Sequence, residues 1–189
     1  MISFEEEKVV VIDNFLTPEL ADKVCNMIDA EDRWKKMRYE NKNFHYSFSQ
    51  NEDTELIKNI LLVSNLKESI EEITGFSNIT FPVLFLSKYE FGDYLSPHND
   101  DADGREYGFI YNVTKESSIE DGGVLHYINE NNKYDPILPT YNRLIIFKVN
   151  KEGQHFVSEV KKIDYKRQSL TGWFNTKEFN YIRKEKTLI

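Results

Sequence analysis

From residue 80 onward the chain is a succession of short segments rich in Val, Ile, Phe and Tyr, separated by clusters of Gly, Pro, Asn and Asp. These segments read as strands over 81–89, 107–113, 124–128, 143–149, 154–160 and 168–174. So many short strands in succession must bury their apolar faces against one another, which leaves a sandwich or a barrel. The upstream part has a different rhythm. A β-branched run, Val9-Val10-Val11-Ile12, precedes Thr17-Pro18, a hydroxyl cap and a proline at the first helical position. Leu20, Ala21, Val24, Cys25 and Ile28 then follow helical spacing. A second helical pattern runs over 53–75, with a restart expected at Asn65, where Glu68 would complete a capping box, and a stop at Gly75. Helices first and many strands after predict an α+β, mainly β chain with helices packed on one face of the strands.

Composition narrows the class. The 189 residues are 40% hydrophobic and 14% aromatic, enough to build a packed core without disulfides. They are read as one domain. The formal net charge of −8 argues against nucleic acid and anionic lipid as partners. Cys25 is the single cysteine and sits at a core position of the first helix, so it reads as a small apolar residue. The acidic start MISFEEE and the absence of a long apolar run predict a cytoplasmic protein with no membrane span.

The chain has four histidines, His45, His98, His126 and His155. His98-Asn99-Asp100 sets an imidazole and a carboxylate two residues apart, able to face one ion from an extended segment. A catalytic metal needs a third ligand, for which His126 and His155 are the candidates. Two imidazoles and a carboxylate suit Fe(II) with open positions, although zinc accepts the same donors. Arg167, twelve residues after His155, supplies a cation with paired donors for a carboxylate. The same offset from His126 reaches Leu138, which binds no anion, so His155 is the better third ligand. Strand parity places Arg167, Ser169, Thr171 and Trp173 on one face, with Leu170 and Phe174 on the other.

These residues carry a resemblance. Tyr89-Glu90-Phe91-Gly92-Asp93-Tyr94 leads into His98-Asn99-Asp100, and Asp121-Gly122-Gly123-Val124-Leu125 follows. Next come Asn142-Arg143-Leu144-Ile145-Ile146-Phe147, then Gln154-His155-Phe156-Val157-Ser158-Glu159-Val160, and finally Arg167-Gln168-Ser169-Leu170-Thr171-Gly172-Trp173-Phe174. In order and spacing they resemble the Fe(II)- and 2-oxoglutarate-dependent oxygenases, specifically the prolyl-hydroxylase-like branch. The opening Val10 to Leu16 also resembles the start of such domains.

The resemblance implies a double-stranded β-helix, or jelly-roll, core over about 80–176, supported by helices over about 1–79 and followed by a tail over 177–189. It implies that His98, Asp100 and His155 hold Fe(II), while Arg167 binds the far carboxylate of 2-oxoglutarate with help from Tyr89 and Ser169. Some relatives have a second tyrosine on the strand after the HxD motif, where this chain has Asn112 with Tyr111 beside it. Dioxygen is the other co-substrate, with ascorbate a candidate reductant. The implied reaction hydroxylates a C–H bond and releases succinate and CO2. A prolyl residue of a protein, a translation component for example, is the first substrate class. A free amino acid or related metabolite is the second, and a non-catalytic jelly-roll binding module stands as a remote third. The expected assembly is a monomer or a homodimer. Asp100 occupies the position that halogenating relatives leave open, and Trp173 stands where nucleic-acid demethylases carry a second arginine, so neither activity is expected.

Other residues have plainer readings. Asp101 and Asp103 read as a solvated acidic loop, because the ligand run of a calcium loop is missing. Gly122-Gly123 reads as a tight turn. Trp34, His45 and the aromatic cluster over 44–48 form either a substrate lid or a packing layer. Arg105 and Arg143 are charged groups available to a small substrate.

Overall fold

The computed structural model describes residues 9–39, 44–49, 61–101, 105–128, 133–149 and 151–175. Strand β1 (Val9–Ile12) is the β-branched run, and helix α1 (Pro18–Asp29) starts at the proline. Thr17 flanks α1 with an extended backbone, and its hydroxyl makes no capping bond, contrary to the expectation. Its carbonyl accepts the first intrahelical bond, from the Ala21 amide at 2.9 Å. Ala21, Val24, Cys25 and Ile28 form the buried stripe of α1, as their spacing requires. Helix α2 (Leu61–Thr74) runs without interruption through Asn65, so the expected restart does not occur. It ends at Gly75, whose positive φ of 72° closes the last turn with an amide bond to Glu71. The start of that helical pattern, Asp103, Glu5 to Glu7 and the tail lie outside the described residues.

The strands are β2 (Lys35–Tyr39), β3 (Phe44–Ser49), β4 (Thr80–Tyr89), β5 (Tyr94–His98), β6 (Tyr107–Asn112), β7 (Leu125–Ile128), β8 (Tyr134–Ile137), β9 (Arg143–Lys148), β10 (His155–Val157) and β11 (Arg167–Asn175). They pair antiparallel in the order β1-β9-β6-β11-β4-β3-β5-β10-β7-β8, with β2 on β3. This sheet curls until its two halves face each other. Ile110, Ile145 and Phe147 from β6 and β9 pack against Leu125, Tyr127 and Val157 from β7 and β10. Behind the larger half, Phe109, Tyr111, Leu144, Ile146, Leu170 and Phe174 pack against Ala21, Val24, Leu66 and Ile70 of the helices. The fold is therefore a jelly roll with helices on its outer face, in agreement with the reading from the strand pattern.

All six expected strands are present, with shifted ends. β10 is the most shortened, and its register against β5 shifts between His155 and Val157. β2, β3, β5 and β8 were not expected. Pro97 in β5 and Pro136 in β8 argue against strands in the sequence; Pro136 is tolerated because β8 is an edge strand, and Pro97 lies where the β5–β10 register shifts.

Asn142 ties the helical layer to the sheet. It holds a positive φ of 57°, its Oδ1 accepts from the Leu16 amide at 2.9 Å and the Tyr111 hydroxyl at 3.0 Å, and its Nδ2 donates to the Leu16 carbonyl at 2.8 Å. Replacing it strands several buried polar groups at once. Asn142→Ala is expected to lose about 3 kcal/mol of stability, read from urea unfolding, through unmade buried hydrogen bonds and an alanine held at positive φ.

Candidate active site

The β5–β10 pairing brings His155 opposite His98. His98 Nδ1 lies 2.9 Å from the Ser96 carbonyl, and His155 Nδ1 lies 3.4 Å from that of Gly153. A backbone carbonyl can only accept, so each Nδ1 carries the proton and each Nε2 presents a lone pair. Asp100 follows just after β5, with Oδ1 3.4 Å from His98 Nε2 and Oδ2 3.6 Å from His155 Nε2. Ligand atoms of the three residues all lie within 4.8 Å of one another. Phe44 meets the His98 ring edge-on at 5.0 Å, and Phe147 and Tyr127 pack on His155 at 5.0 and 6.0 Å. Burial among these rings lowers the His155 pKa to about 4, against the opposing pull of Asp100. For Asp100, burial raises the pKa, yet hydrogen bonds and charge from His98, His155 and Trp173 outweigh it and hold the carboxyl at about 2. The Nε2 atoms of the two imidazoles and the carboxylate of Asp100 thus converge as one donor set.

These three residues share a cavity of about 170 Å³ with Arg167, Tyr89, Ser87, Thr171, Trp173 and Arg105. Arg167 is only 2% exposed, at the start of β11 opposite Tyr89 in the ladder. Its guanidinium lies 4.7 Å from the Tyr89 ring centroid, and its Nε has no hydrogen-bond partner. Burial lowers the Arg167 pKa and the Tyr89 and Tyr165 phenols oppose the shift, while Arg remains charged. No carboxylate pairs with it among the described residues. A buried guanidinium without an anion is costly, and the free space beside it is where an anion would relieve that cost.

Ser169 is fully buried behind this wall rather than among its lining residues. Its hydroxyl bonds Ser87 at 2.7 Å and Thr171 at 3.2 Å, and those two line the cavity. Tyr111 turns into the helix-side core and donates to Asn142, and Asn112 bonds the Arg143 carbonyl, so neither joins the cavity. His126 stacks on Phe156 at 4.4 Å, outside the cluster. Arg143 pairs with Asp13 and is structural. Of the aromatic group read as a lid or a packing layer, Trp34 packs against the core between the helices and the sheet, whereas the cluster over 44–48 is part of the sheet itself. It forms β3, which sends Phe44 and Tyr46 into the cavity wall, while His45 stacks on Tyr94. Gly122 and Gly123 have φ of 75° and 67°, and a side chain on Gly122 would meet the Glu159 carbonyl, so the turn requires glycine there. Sequence reasoning missed Trp173, whose Nε1 donates to Asp100 Oδ2 at 3.0 Å; parity gave its face, yet nothing in the sequence linked it to a loop 73 residues away.

Residues 84–175 match the sequence model of the 2OG-Fe(II) oxygenase superfamily. The match covers just under half of the chain, which over that stretch is similar to this superfamily. Its members use Fe(II), 2-oxoglutarate and dioxygen. The chain is 27% identical over 149 residues to prolyl 3-hydroxylase OGFOD1 of Mus musculus, covering 72% of this chain and 27% of that protein. It is 27% identical over 181 residues to prolyl 3-hydroxylase sudestada1 of Drosophila melanogaster, covering 85% and 34%. It therefore spans about a third or less of the length of these curated relatives. Among solved structures, a prolyl-4-hydroxylase of Pseudomonas putida superposes with a TM-score of 0.69 at 20% identity, covering 92% of this chain and 95% of that one. A prolyl hydroxylase from Trichoplax adhaerens, in complex with a hypoxia inducible factor peptide fragment, gives 0.75 at 19% identity, covering 92% and 86%. These likenesses confirm the fold that this superfamily shares. No helix among the described residues is long and apolar enough to cross a membrane.

The depressed His155 pKa has a stability consequence. The unfolded chain takes up a proton near pH 6.5 that the folded protein refuses until about pH 4, so stability is complete above 6.5 and falls as pH drops through that interval. Asp100 adds a second loss, from about 3.8 down to about 2. For the metal-free protein the His155 contribution is expected to reach about 3 kcal/mol across its interval, visible as a falling thermal midpoint that His155→Gln flattens.

Proposed function

We propose that this chain is a dioxygenase that hydroxylates a prolyl residue of a protein or peptide, consuming 2-oxoglutarate and O2 and releasing succinate and CO2. We further read 80–176 as the catalytic module. The observation that carries the reading is the placement of an unpaired buried cation, Arg167, in the same cavity as His98, Asp100 and His155. A single nitrogen- and oxygen-donor cluster fits a metal, but a metal cluster and a buried guanidinium together fit a metal with an anionic co-substrate. The donor set suits Fe(II) and leaves ligand positions open.

His98, Asp100 and His155 would hold the metal through Nε2, a carboxylate oxygen and Nε2. Fe(II), when bound, supplies the activation of dioxygen that couples decarboxylation of 2-oxoglutarate to oxidation of a C–H bond. Arg167 would pair with the distal carboxylate of the co-substrate, with the Tyr89 phenol beside it, and so fix which end of the keto acid reaches the metal. The Ser87 and Thr171 hydroxyls lie along the same wall. Phe44, Tyr46, Leu95, Phe147 and Val157 line the remaining surface with apolar groups, which limits water at the reacting centre. The prolyl assignment draws support from the named activities of the relatives and from the peptide bound by the Trichoplax adhaerens protein.

Under anaerobic conditions, Fe(II) followed by 2-oxoglutarate is expected to give a visible charge-transfer band that Asp100→Ala abolishes. Arg167→Gln should weaken 2-oxoglutarate binding on the order of 100-fold, the loss of a buried charge-assisted pair, while Fe(II) affinity changes little. An unchanged 2-oxoglutarate affinity in that variant would remove the co-substrate assignment. Mass spectrometry of translation-protein peptides, run beside a free amino-acid panel, should show one added oxygen on a peptide proline; oxidation confined to the panel would move the substrate to a small molecule.

A further inference from the structure

The three residues of the metal cluster are not held equally well. His98 and His155 are fixed twice, by the β5–β10 ladder and by the backbone carbonyl at each Nδ1. Asp100 lies beyond the end of β5, outside any strand. The terminal torsion of an Asp side chain is intrinsically broad, so its carboxylate does not orient itself. The fixed group that meets it is Trp173, on the long strand β11, with Nε1 at 3.0 Å from Asp100 Oδ2. The indole is in turn packed between neighbours. The Arg105 guanidinium carbon lies 3.6 Å from its ring centroid, and the Phe85 ring lies 5.7 Å away. β4 and β6 flank this stretch of β11, with Trp173 opposite Val83 and Gly108.

We propose that Trp173 is the positioning residue of the metal cluster. Its indole N–H occupies one lone pair of Asp100 Oδ2 and so sets the rotation of the carboxylate, keeping its oxygens aimed at the space between the two Nε2 atoms. Arg105, stacked on the ring, holds the indole in that pose. The inference rests on the reading of His98, Asp100 and His155 as metal ligands. Partners of this kind are worth roughly 10–100-fold in metal affinity when removed from a ligand.

Two substitutions separate the hydrogen bond from the packing of the ring. Trp173→Phe keeps an aromatic ring and removes the donor, whereas Trp173→Gln keeps an N–H donor and removes the ring. Mn(II) binding to the otherwise intact chain, followed by electron paramagnetic resonance, gives the affinity, and the thermal midpoint of the metal-free protein reports packing. The expected result is a dissociation constant about 10–100-fold weaker in Trp173→Phe, with Trp173→Gln closer to the parent protein despite a lower thermal midpoint. An affinity in Trp173→Phe within about twofold of the parent, or a weaker one in Trp173→Gln than in Trp173→Phe, would overturn the proposal. Should Trp173→Phe fail to fold, Trp173→Gln decides alone: Mn(II) binding as poor as that of Asp100→Ala overturns the proposal, and clearly better binding supports it. Normal Mn(II) binding by Asp100→Ala would be a different failure, removing the metal cluster itself and this inference with it.

Discussion

The antiparallel pairing of β5 with β10 is the contact on which the site depends. It joins the end of the larger half of the sheet to the smaller half, and through it the sheet turns back on itself. The same pairing sets His98 against His155, so closure of the fold and convergence of the two imidazoles are one event. The pairing is short, since β10 has only three residues, and its register slips after His155. Neighbouring bonds compensate for that brevity. The Ser158 amide donates to Val124, the Val160 amide to Asp93, and the Gly92 amide to Val160, all at 2.9 to 3.0 Å. A strand too short to hold itself is thus held by the turns around it.

The electrostatics of the cavity follow from the same enclosure. Burial keeps His155 neutral where a solvated imidazole would begin to charge, and it leaves Arg167 with a positive charge that no described side chain cancels. One end of the cavity is an electron-pair donor set and the other an unneutralised cation. Tyr89 and Tyr165 temper that cation without neutralising it, since burial raises both phenol pKa values, that of Tyr165 to about 12. The energetic cost of this polarity in the free protein is carried by two packed cores, one between the sheet halves and one against the helices.

Much of this was legible in the sequence. Alternation and turn residues marked the strands of the jelly roll, and the spacing of His98, Asp100, His155 and Arg167 marked the residues that meet in the cavity. What stayed hidden depends on pairing across long separations. β2 reads as a charged stretch and β3 as a cluster of aromatic rings, and only their pairing with each other and with β4 and β5 makes them strands. Pro97 and Pro136 obscured β5 and β8 because a local rule cannot say which strand lies at an edge or where a register shifts. The hydroxyls at Ser87, Ser169 and Thr171 share a parity rule, yet which of them faces the cavity depends on the curl of the sheet. Asn142 reads as a turn residue, and nothing local tells that it bridges Leu16 and Tyr111.

Strand β11 carries both Arg167 and Trp173, six residues apart on one face, paired with β4 along the whole stretch and with β6 from Ser169 onward. The buried guanidinium and the indole that meets Asp100 are therefore graduations of a single ruler. Because a strand presents a given face only at every second residue, the separation of these graduations can change only in steps of roughly 7 Å. A dicarboxylate one methylene longer or shorter than the one that fits cannot be met by a small adjustment of the strand. With Arg167 in its proposed role, selectivity for the length of the co-substrate would be quantised by the backbone, and a change of preferred length would have to come from side chains or from the opposite wall.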